Sequence, residues 1–215
     1  MLASFFLVLL LRWLPPPTTA FMATAQVAAF LDGNFAYRNR HQWVALAAIS
    51  PQAGLAVIAA EDQRFGDHAG FDFEAIRKAL QHNAAGGRVR GASTISQQTA
   101  KNLFLWSGRS YARKGLEAYF TVLIELLWPK QRILEVYLNV AQFGDNVYGV
   151  QAAAQAFFSK DAAGLTRREA ATLAAVLPNP RRFRADRPSP YIERRATQIE
   201  AQMRALGGTR LLDTL

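Results

Sequence analysis

The chain has 215 residues, no cysteine and a formal net charge of +9. Its length fits one domain with an apolar core and leaves room for one activity rather than two. The lack of cysteine excludes thiol catalysis, disulfides and thiolate metal sites, and the positive charge favours acidic partners such as nucleic acid, anionic lipid headgroups or a phosphorylated substrate.

The N-terminal residues 2–11 form an almost wholly apolar run, and the triple proline at 15–17 follows shortly after it. A helix that spans a bilayer needs about 20 apolar residues, so this run is short for that purpose. It also lacks the basic flank and the clear cleavage site of a signal peptide. We interpret residues 1–14 as a membrane anchor that is truncated at its start. A cleaved signal peptide and a buried core helix are the alternatives.

Helix signals begin after the prolines. Pro51 suits the first turn of a helix, and a helix that begins there carries Glu61 and Asp62 near its C-terminal end. Asp72 can cap a second helix, which has an apolar face. The run 83–91 contains three glycines and two arginines and predicts a mobile loop.

Four further helices follow in the pattern. A helix that starts near residue 93 would align Thr94, Gln98 and Lys101 on one stripe. A long helix is predicted over 110–128 and another over 130–140. Residues 166–169 form a capping box before a helix that stops at Pro178. A last helix and a loose end complete a chain that is mainly α, with no alternating strand pattern.

Two acidic residues at the start of one motif are candidates for chemistry. Residues 55–60, just before Glu61, are all apolar, and such a setting raises the pKa of a carboxyl group toward the range of a general acid or base. The alternative is a solvated glutamate at a helix end. Asp62 could cap a helix, pair with Arg64 or hold a lysine, while His68 could bond within its loop or contact a phosphate.

The next segment is rich in hydrogen-bond donors and has no acid. Residues 75–116 contain no Asp or Glu, and hydroxyl, amide and ammonium groups are concentrated over 93–102. These groups suit sugars and phosphates, although a polar exposed helix face would look similar. Glu117 then follows Arg113 by four residues, which fits either a simple intrahelical ion pair or part of an anion site. The positive charges of the acid-free segment come from eight residues: Arg77, Lys78, Arg88, Arg90, Lys101, Arg109, Arg113 and Lys114.

Several common sites are missing from the sequence. It has no glycine-rich phosphate loop, no histidine pair at metal-binding spacing and no nucleophile elbow. The sequence signatures of nucleic-acid-binding domains are missing as well, so nucleic acid is not expected as a partner.

The motifs themselves resemble a known family. EDQRFGDHAGFD (61–72) is similar to the first motif of the peptidoglycan glycosyltransferases, glycosyltransferase family 51, and GASTISQQTAKNLFL (91–105) to the second. Residues 113–160 resemble the third and fourth motifs, and LTRREAATLAAVLPNP (165–180) resembles the fifth. The resemblance runs in order over about residues 15–190.

The resemblance implies a mainly α, lysozyme-like fold of two lobes with a small membrane-associated jaw, preceded by an N-terminal membrane segment. It divides the chain into an anchor (1–14), a linker and jaw entry (15–42), a glycosyltransferase domain (43–190) and a C-terminal helix and tail (191–215). The expected location is the bacterial inner membrane, with a single membrane pass and the catalytic domain on the periplasmic face.

The resemblance also implies a reaction. Lipid II would be polymerised into β-1,4-linked glycan with release of undecaprenyl pyrophosphate. Glu61 would be the general base, and Glu117 would act with Lys101 and Arg113 at the donor pyrophosphate, with Mg²⁺ or Mn²⁺ as a candidate cation. Membrane lipids, the growing glycan and other cell-wall synthesis and division proteins are the implied partners. The positions that would shape or bind the substrate sites are Asp62, Phe65, His68, Thr94 and Gln98.

Three positions depart from the family pattern. Ala92 stands where a second glycine is common, and Gln142 and Gln151 stand where related enzymes often carry glutamate, which weakens the case for a cation there. Two other functions remain as alternatives: a lysozyme-like peptidoglycan hydrolase and an inactive membrane scaffold of the wall-synthesis machinery. A hydrolase needs no pyrophosphate clamp, so the cationic segment and the apolar N-terminus count against it.

Overall fold

The computed structural model describes residues 2–86, 91–106, 108 and 110–215. Arg88, Arg90 and Arg109, and part of the predicted loop 83–91, lie outside these residues. The described chain is mainly helical, as predicted, with three short 3₁₀ segments. Its α-helices are α1 Leu2–Leu10, α2 Ala20–Leu31, α3 Pro51–Glu61, α4 Phe73–Ala84, α5 Ile95–Phe104, α6 Tyr111–Leu127, α7 Lys130–Val140, α8 Val150–Phe158, α9 Arg167–Val176 and α10 Pro190–Ala205.

The helix ends follow local signals in the sequence. α3 begins at Pro51, and the side chain of Asp72 caps α4 by accepting a hydrogen bond from the backbone of Ala75. α9 begins with the predicted capping box of Thr166 and Glu169. α5 starts later than predicted because Thr94 is its cap rather than a residue of its first turn.

The core is built around α3. Residues 53–59 of this helix are all buried, so its sequence reads as an apolar run rather than as an amphipathic stripe. α9 and α10 pack against it, and α10 contributes Ile192, Ala196, Ile199 and Met203 to the core. This packing fixes the C-terminal end of α3, where Glu61 lies.

The end of the chain is not loose, which corrects the sequence-based expectation. The 3₁₀ segment Gly208–Thr214 packs against α3. A Cβ at Gly54 would be 3.5 Å from the side chain of Leu212, and a Cβ at Gly66 would be 3.3 Å from that of Leu215. These leucines cover the outer side of the core. The 3₁₀ segment is too short to show a helical period in the sequence, so it was not predicted.

Two short strands were not predicted. β1 Arg40–His41 pairs in parallel with β2 Val147–Tyr148. Two residues are too few to produce an alternating pattern in the sequence. Gly149 follows β2 with φ +80, and a Cβ there would lie 2.5 Å from the carbonyl oxygen of Asn139, so only glycine fits this turn.

The N-terminal helix lies against α6. The indole of Trp128 donates a 2.8 Å hydrogen bond to the carbonyl of Val8, and the hydroxyls of Ser4 and Tyr119 are 2.8 Å apart. Within the described ranges, none of the helices is both long and apolar enough to cross a bilayer. The membrane anchor and the membrane-associated jaw therefore stay predictions.

Candidate active site

Glu61 lies at the last position of α3, where the helix meets a cleft. Its carboxylate accepts a 2.7 Å hydrogen bond from the side-chain amide of Gln98 on α5. Burial raises the pKa of Glu61, and the hydrogen bond from Gln98 and the charges of Arg195 and Lys101 oppose this rise. The direction agrees with the prediction from the apolar neighbours of Glu61. A raised pKa suits this carboxyl group to proton exchange with a substrate.

Asp62 adds a second cap to α5, beside Thr94, and pairs with a histidine. One of its carboxylate oxygens accepts a hydrogen bond from the backbone of Ile95 (3.0 Å), and the other lies 2.9 Å from Nε2 of His68. The backbone N–H of Gly70 donates to Nδ1 of the same ring at 3.2 Å. Nδ1 must therefore be the acceptor of the neutral ring, and Nε2 carries the proton. Of the alternatives for Asp62, the cap is the one observed, since Arg64 pairs with other acids.

Two residues that were predicted to bind or shape the substrate sites make their contacts within the protein. The hydroxyl of Thr94 donates to the carbonyl of Gly70 (2.6 Å) and accepts from the backbone of Gln97. Its side chain therefore does not project from the same helix face as those of Gln98 and Lys101. Phe65 is fully buried under the ammonium group of Lys130. These residues shape the site from behind, and periodicity alone could not show that.

Glu117 belongs to a charged cluster with Arg113 and Lys101. Nη1 of Arg113 lies 2.9 Å from the carboxylate of Glu117, which is buried. Burial lowers the pKa of Lys101, while the charges of Glu117 and Glu61 raise it and that of Arg113 lowers it. The negative charges of both acids therefore act on Lys101. Nε of Arg113 is buried without a hydrogen-bond partner, which leaves a donor for an anion.

Three cavities follow this line of residues. One of about 280 Å³ has Glu61, Arg64 and Thr94 in its wall. A second of about 170 Å³ is bordered by Gln98 and Lys101. A third of about 390 Å³ lies at the start of α6 beside Arg113 and Lys114. The hydrogen bond between Glu61 and Gln98 joins a residue in the wall of the first cavity to a residue in the wall of the second.

Several residues near the site were not predicted from the sequence. The guanidinium group of Arg195 on α10 donates to the carbonyl of Ala60 at 3.3 Å, one residue before Glu61. The hydroxyl of Tyr137 donates to the amide oxygen of Gln98 at 3.4 Å. Lys101 lies 5.7 Å from the ring centroid of Phe21 on α2. All of these contacts join residues far apart in the chain, so no local motif signals them.

Gln142 and Gln151, which stand where related enzymes often carry glutamate, form hydrogen bonds within the protein. Gln142 donates to the carbonyls of Gly144 and Asp145, and Gln151 bonds to Asp161 and to the backbone of Ala162. Over the part of the chain that the structure describes, no three Asp, Glu, His or Cys side chains come together as a metal site. The observed residues therefore do not fit a cation held by the protein alone.

Comparisons with known proteins show the family of the chain. The sequence model of the family described as Transglycosylase matches residues 27–204. A biosynthetic peptidoglycan transglycosylase of Xanthomonas axonopodis pv. citri (strain 306) is 59% identical over 96% of this chain and 84% of its own length. Proteins of the same name from Stutzerimonas stutzeri (strain A1501) and Xylella fastidiosa (strain 9a5c) are 56% and 53% identical over 99% of this chain and 87% of their own lengths. The chain therefore belongs to the family of peptidoglycan transglycosylases, which are glycosyltransferases of cell-wall synthesis.

Proposed function

We propose that this enzyme polymerises lipid II into β-1,4-linked glycan strands and releases undecaprenyl pyrophosphate, with Glu61 as the general base. The observation that carries the proposal is the arrangement of Glu61, Lys101 and Glu117. The carboxyl group of Glu61 has a raised pKa, Glu117 is ion-paired with Arg113, and the charges of both acids act on Lys101 between them in sequence.

The proposed base works on the acceptor. Glu61 takes the proton from the 4-hydroxyl of the acceptor sugar as that oxygen attacks the anomeric carbon of the donor. The Gln98 amide donates to one oxygen of the carboxylate and leaves the other for the proton. The raised pKa makes Glu61 a stronger base than an exposed glutamate, and burial limits competition from water.

The cationic end of the cleft works on the leaving group. When the bond between the anomeric carbon and the pyrophosphate breaks, its electron pair stays on the phosphate oxygen. The ammonium of Lys101 and the guanidinium of Arg113 supply fixed positive charge where this negative charge develops. Glu117 holds Arg113 in place through their 2.9 Å ion pair, and the unpartnered Nε of Arg113 is one donor to the pyrophosphate.

No step of the proposed mechanism passes through a metal ion. The expected Mg²⁺ or Mn²⁺ would need several oxygen ligands. The carboxylate of Glu117 is already paired with Arg113. We propose that a divalent cation, where one is used, comes with the pyrophosphate of the substrate.

The enzyme acts in the cell envelope, where peptidoglycan is made. We propose that it lies at the inner membrane with its catalytic domain on the periplasmic face. In support, α1 and α2 turn large apolar side chains outward, and such patches mark surfaces that contact protein or membrane. These side chains are Leu2, Phe6, Leu10, Val27, Phe30 and Leu31.

Extension of labelled lipid II in detergent tests the function. We expect the wild type to form long glycan and Glu61→Gln to form almost none, because glutamine keeps the size of the side chain and cannot take the proton. Glu193→Gln is the matched control, since Glu193 is an exposed acid on α10 paired with Arg168. An active Glu61→Gln enzyme would contradict the assignment of the base.

The same variants separate the two alternative functions. Soluble fragments released from purified sacculi, with no extension of lipid II, would indicate a hydrolase. Normal function in cells after substitution of both Glu61 and Glu117 by glutamine would indicate a scaffold.

A further inference from the structure

A second buried ion pair lies behind the proposed active site. Nζ of Lys130, at the start of α7, lies 2.8 Å from the carboxylate of Glu125 near the end of α6. The side chains are 16% and 8% exposed, respectively, so water screens neither charge well. The ammonium also donates a 2.6 Å hydrogen bond to the carbonyl of His68 and lies 4.6 Å from the ring centroid of Phe65. The ion pair therefore holds the loop that follows Glu61 and Asp62.

Glu125 ties the same loop to two helices. Its carboxylate accepts a hydrogen bond from the hydroxyl of Ser96 on α5. Gly70 lies directly against α6 with φ +88, and a Cβ there would be 2.8 Å from Thr121 and 3.0 Å from the side chain of Glu125. Only glycine permits this close approach. The loop from Phe65 to Gly70 is thus pressed against the ion pair and has little room to move.

The ion pair reaches the proposed base through His68. Lys130 fixes the backbone of His68, and Gly70 donates to Nδ1 of its ring. The protonated Nε2 then points to Asp62, which is 2.9 Å away. Asp62 in turn caps α5 and directly follows Glu61 in the chain. Each contact orients the next, as the outer groups around a catalytic site often do.

We propose that Lys130 and Glu125 are positioning residues of the active site, which hold His68 in one tautomer and through it orient Asp62 and the end of α3. The importance of this orientation for turnover rests on the proposed role of Glu61. The orientation itself does not, so it can be measured without substrate.

The direct test is a spectrum of the histidine ring nitrogens. The chain has three histidines, so selective ¹⁵N-histidine labelling gives a simple spectrum, and His68→Gln identifies the signals of His68. In the wild type we expect His68 as the single tautomer protonated at Nε2. In Lys130→Met we expect a mixture of tautomers. Lys160→Met is the matched control because it breaks a Lys–Glu pair with Glu169 away from the site. A folded Lys130→Met protein with an unchanged His68 spectrum would overturn the proposal.

Kinetics in the lipid II assay give a second readout. We expect Lys130→Met to lower kcat by at least about tenfold with a much smaller change in KM, as loss of a supporting residue does. Lys130→Arg keeps the positive charge and should restore part of the rate, which a purely volume-filling role would not require. A larger effect on KM than on kcat, or no rescue by arginine, would contradict positioning.

A milder variant covers the case in which Lys130→Met does not fold. Loss of one partner of a buried ion pair leaves an uncompensated charge and can be strongly destabilising. Glu125→Gln also removes one charge of the pair, but its shape is kept and its side-chain oxygen can still accept a hydrogen bond from Lys130. We therefore expect it to destabilise the fold less than Lys130→Met does, and to loosen Lys130 enough to mix the His68 tautomers. If Glu125→Gln folds and the tautomer stays single, the proposal fails. Because the spectrum needs no lipid II, this result is independent of whether the enzyme proves to be a polymerase.

Discussion

Glu61 is half-buried and Glu117 is buried, and the surroundings of these two glutamates differ. Glu61 has an uncharged hydrogen-bond partner in Gln98, and burial raises its pKa. Glu117 has a charged partner in Arg113 at 2.9 Å, with Lys101 nearby. A carboxyl group with a neutral partner and a raised pKa can exchange a proton, whereas one in an ion pair orients its partner. The environment of each glutamate, and not its residue type, therefore separates the proposed base from the proposed anchor of the cationic cluster.

The largest effect is expected from substitution of the two acids. Glu61→Gln should lower kcat by about a thousandfold, in the range that loss of a general base produces. Glu117→Gln should cost less, because Arg113 remains and loses only its orientation. Single-turnover rates with labelled lipid II measure both. A larger loss of activity in Glu117→Gln than in Glu61→Gln would contradict the different roles of the two acids.

Lys101→Met should rank next. Removal of one fixed charge from the leaving-group end should lower kcat by about a hundredfold, as the loss of a donor to a developing anion does. Because burial lowers the pKa of Lys101, the wild-type rate should also decline at alkaline pH below the usual range of lysine. Lys101→Arg should remove that alkaline decline, since arginine stays charged. An alkaline limb that is unchanged in Lys101→Arg would assign the titration to another group.

The local parts of this arrangement could be predicted from the sequence. The apolar run before Glu61 predicted both its helix and its raised pKa, and Pro51, Asp72 and Thr166 marked helix starts correctly. These signals act within one helical turn. Thr94 was placed on a stripe with Gln98 because helical spacing ignores capping, and a cap turns its side chain back toward the backbone.

The tertiary parts of the site could not be predicted in this way. Arg195 reaches the end of α3 from a helix that begins more than a hundred residues later, and its charge then acts on Glu61. The ion pair of Glu125 and Lys130 is close in sequence, but its contact with His68 depends on how α6 and α7 pack. Such contacts come from the fold as a whole, and no spacing rule contains them. The roles of the individual site residues stay predictions for the experiments to decide.

A smaller effect concerns the pH dependence of the proposed base. The hydrogen bond from Gln98 lowers the pKa of Glu61, so Gln98→Ala should raise that pKa further. Glu61 must be ionised to accept a proton, and the acid limb of kcat/KM should therefore move to higher pH. Asn102→Ala is the control, since Asn102 borders the neighbouring cavity and is not among the groups that shift Glu61. If the acid limb does not move in Gln98→Ala, the measured titration belongs to a group other than Glu61.

The stability of the fold should respond to the same carboxyl group, in the opposite sense to activity. Burial keeps the pKa of Glu61 in the folded state above its ordinary value. Below the unfolded pKa this group costs nothing, and its ionisation destabilises the fold progressively as the pH rises through the folded pKa. Glu61→Gln should therefore raise the melting temperature by a few degrees at pH 8 and hardly at all at pH 4. Glu117→Gln should not raise it, because the substitution leaves Arg113 unpaired. A gain in both variants at pH 8 would remove the contrast between the two acids.

The smallest effect is expected from removal of divalent cations. The cationic end of the cleft already holds Lys101 and Arg113, and within the described residues no cluster of acids and histidines is available to bind a metal. Fixed positive charge can stabilise a leaving pyrophosphate in the way a metal does. A chelator should therefore lower the rate of lipid II extension less than Lys101→Met does, and added Mg²⁺ should restore it. The chelator should matter more in the Lys101→Met enzyme, where a substrate-borne cation has to compensate for the missing ammonium. A full loss of wild-type activity in chelator would show that Lys101 and Arg113 are insufficient, and Glu117 would then have to be reconsidered as a metal ligand rather than as the partner of Arg113.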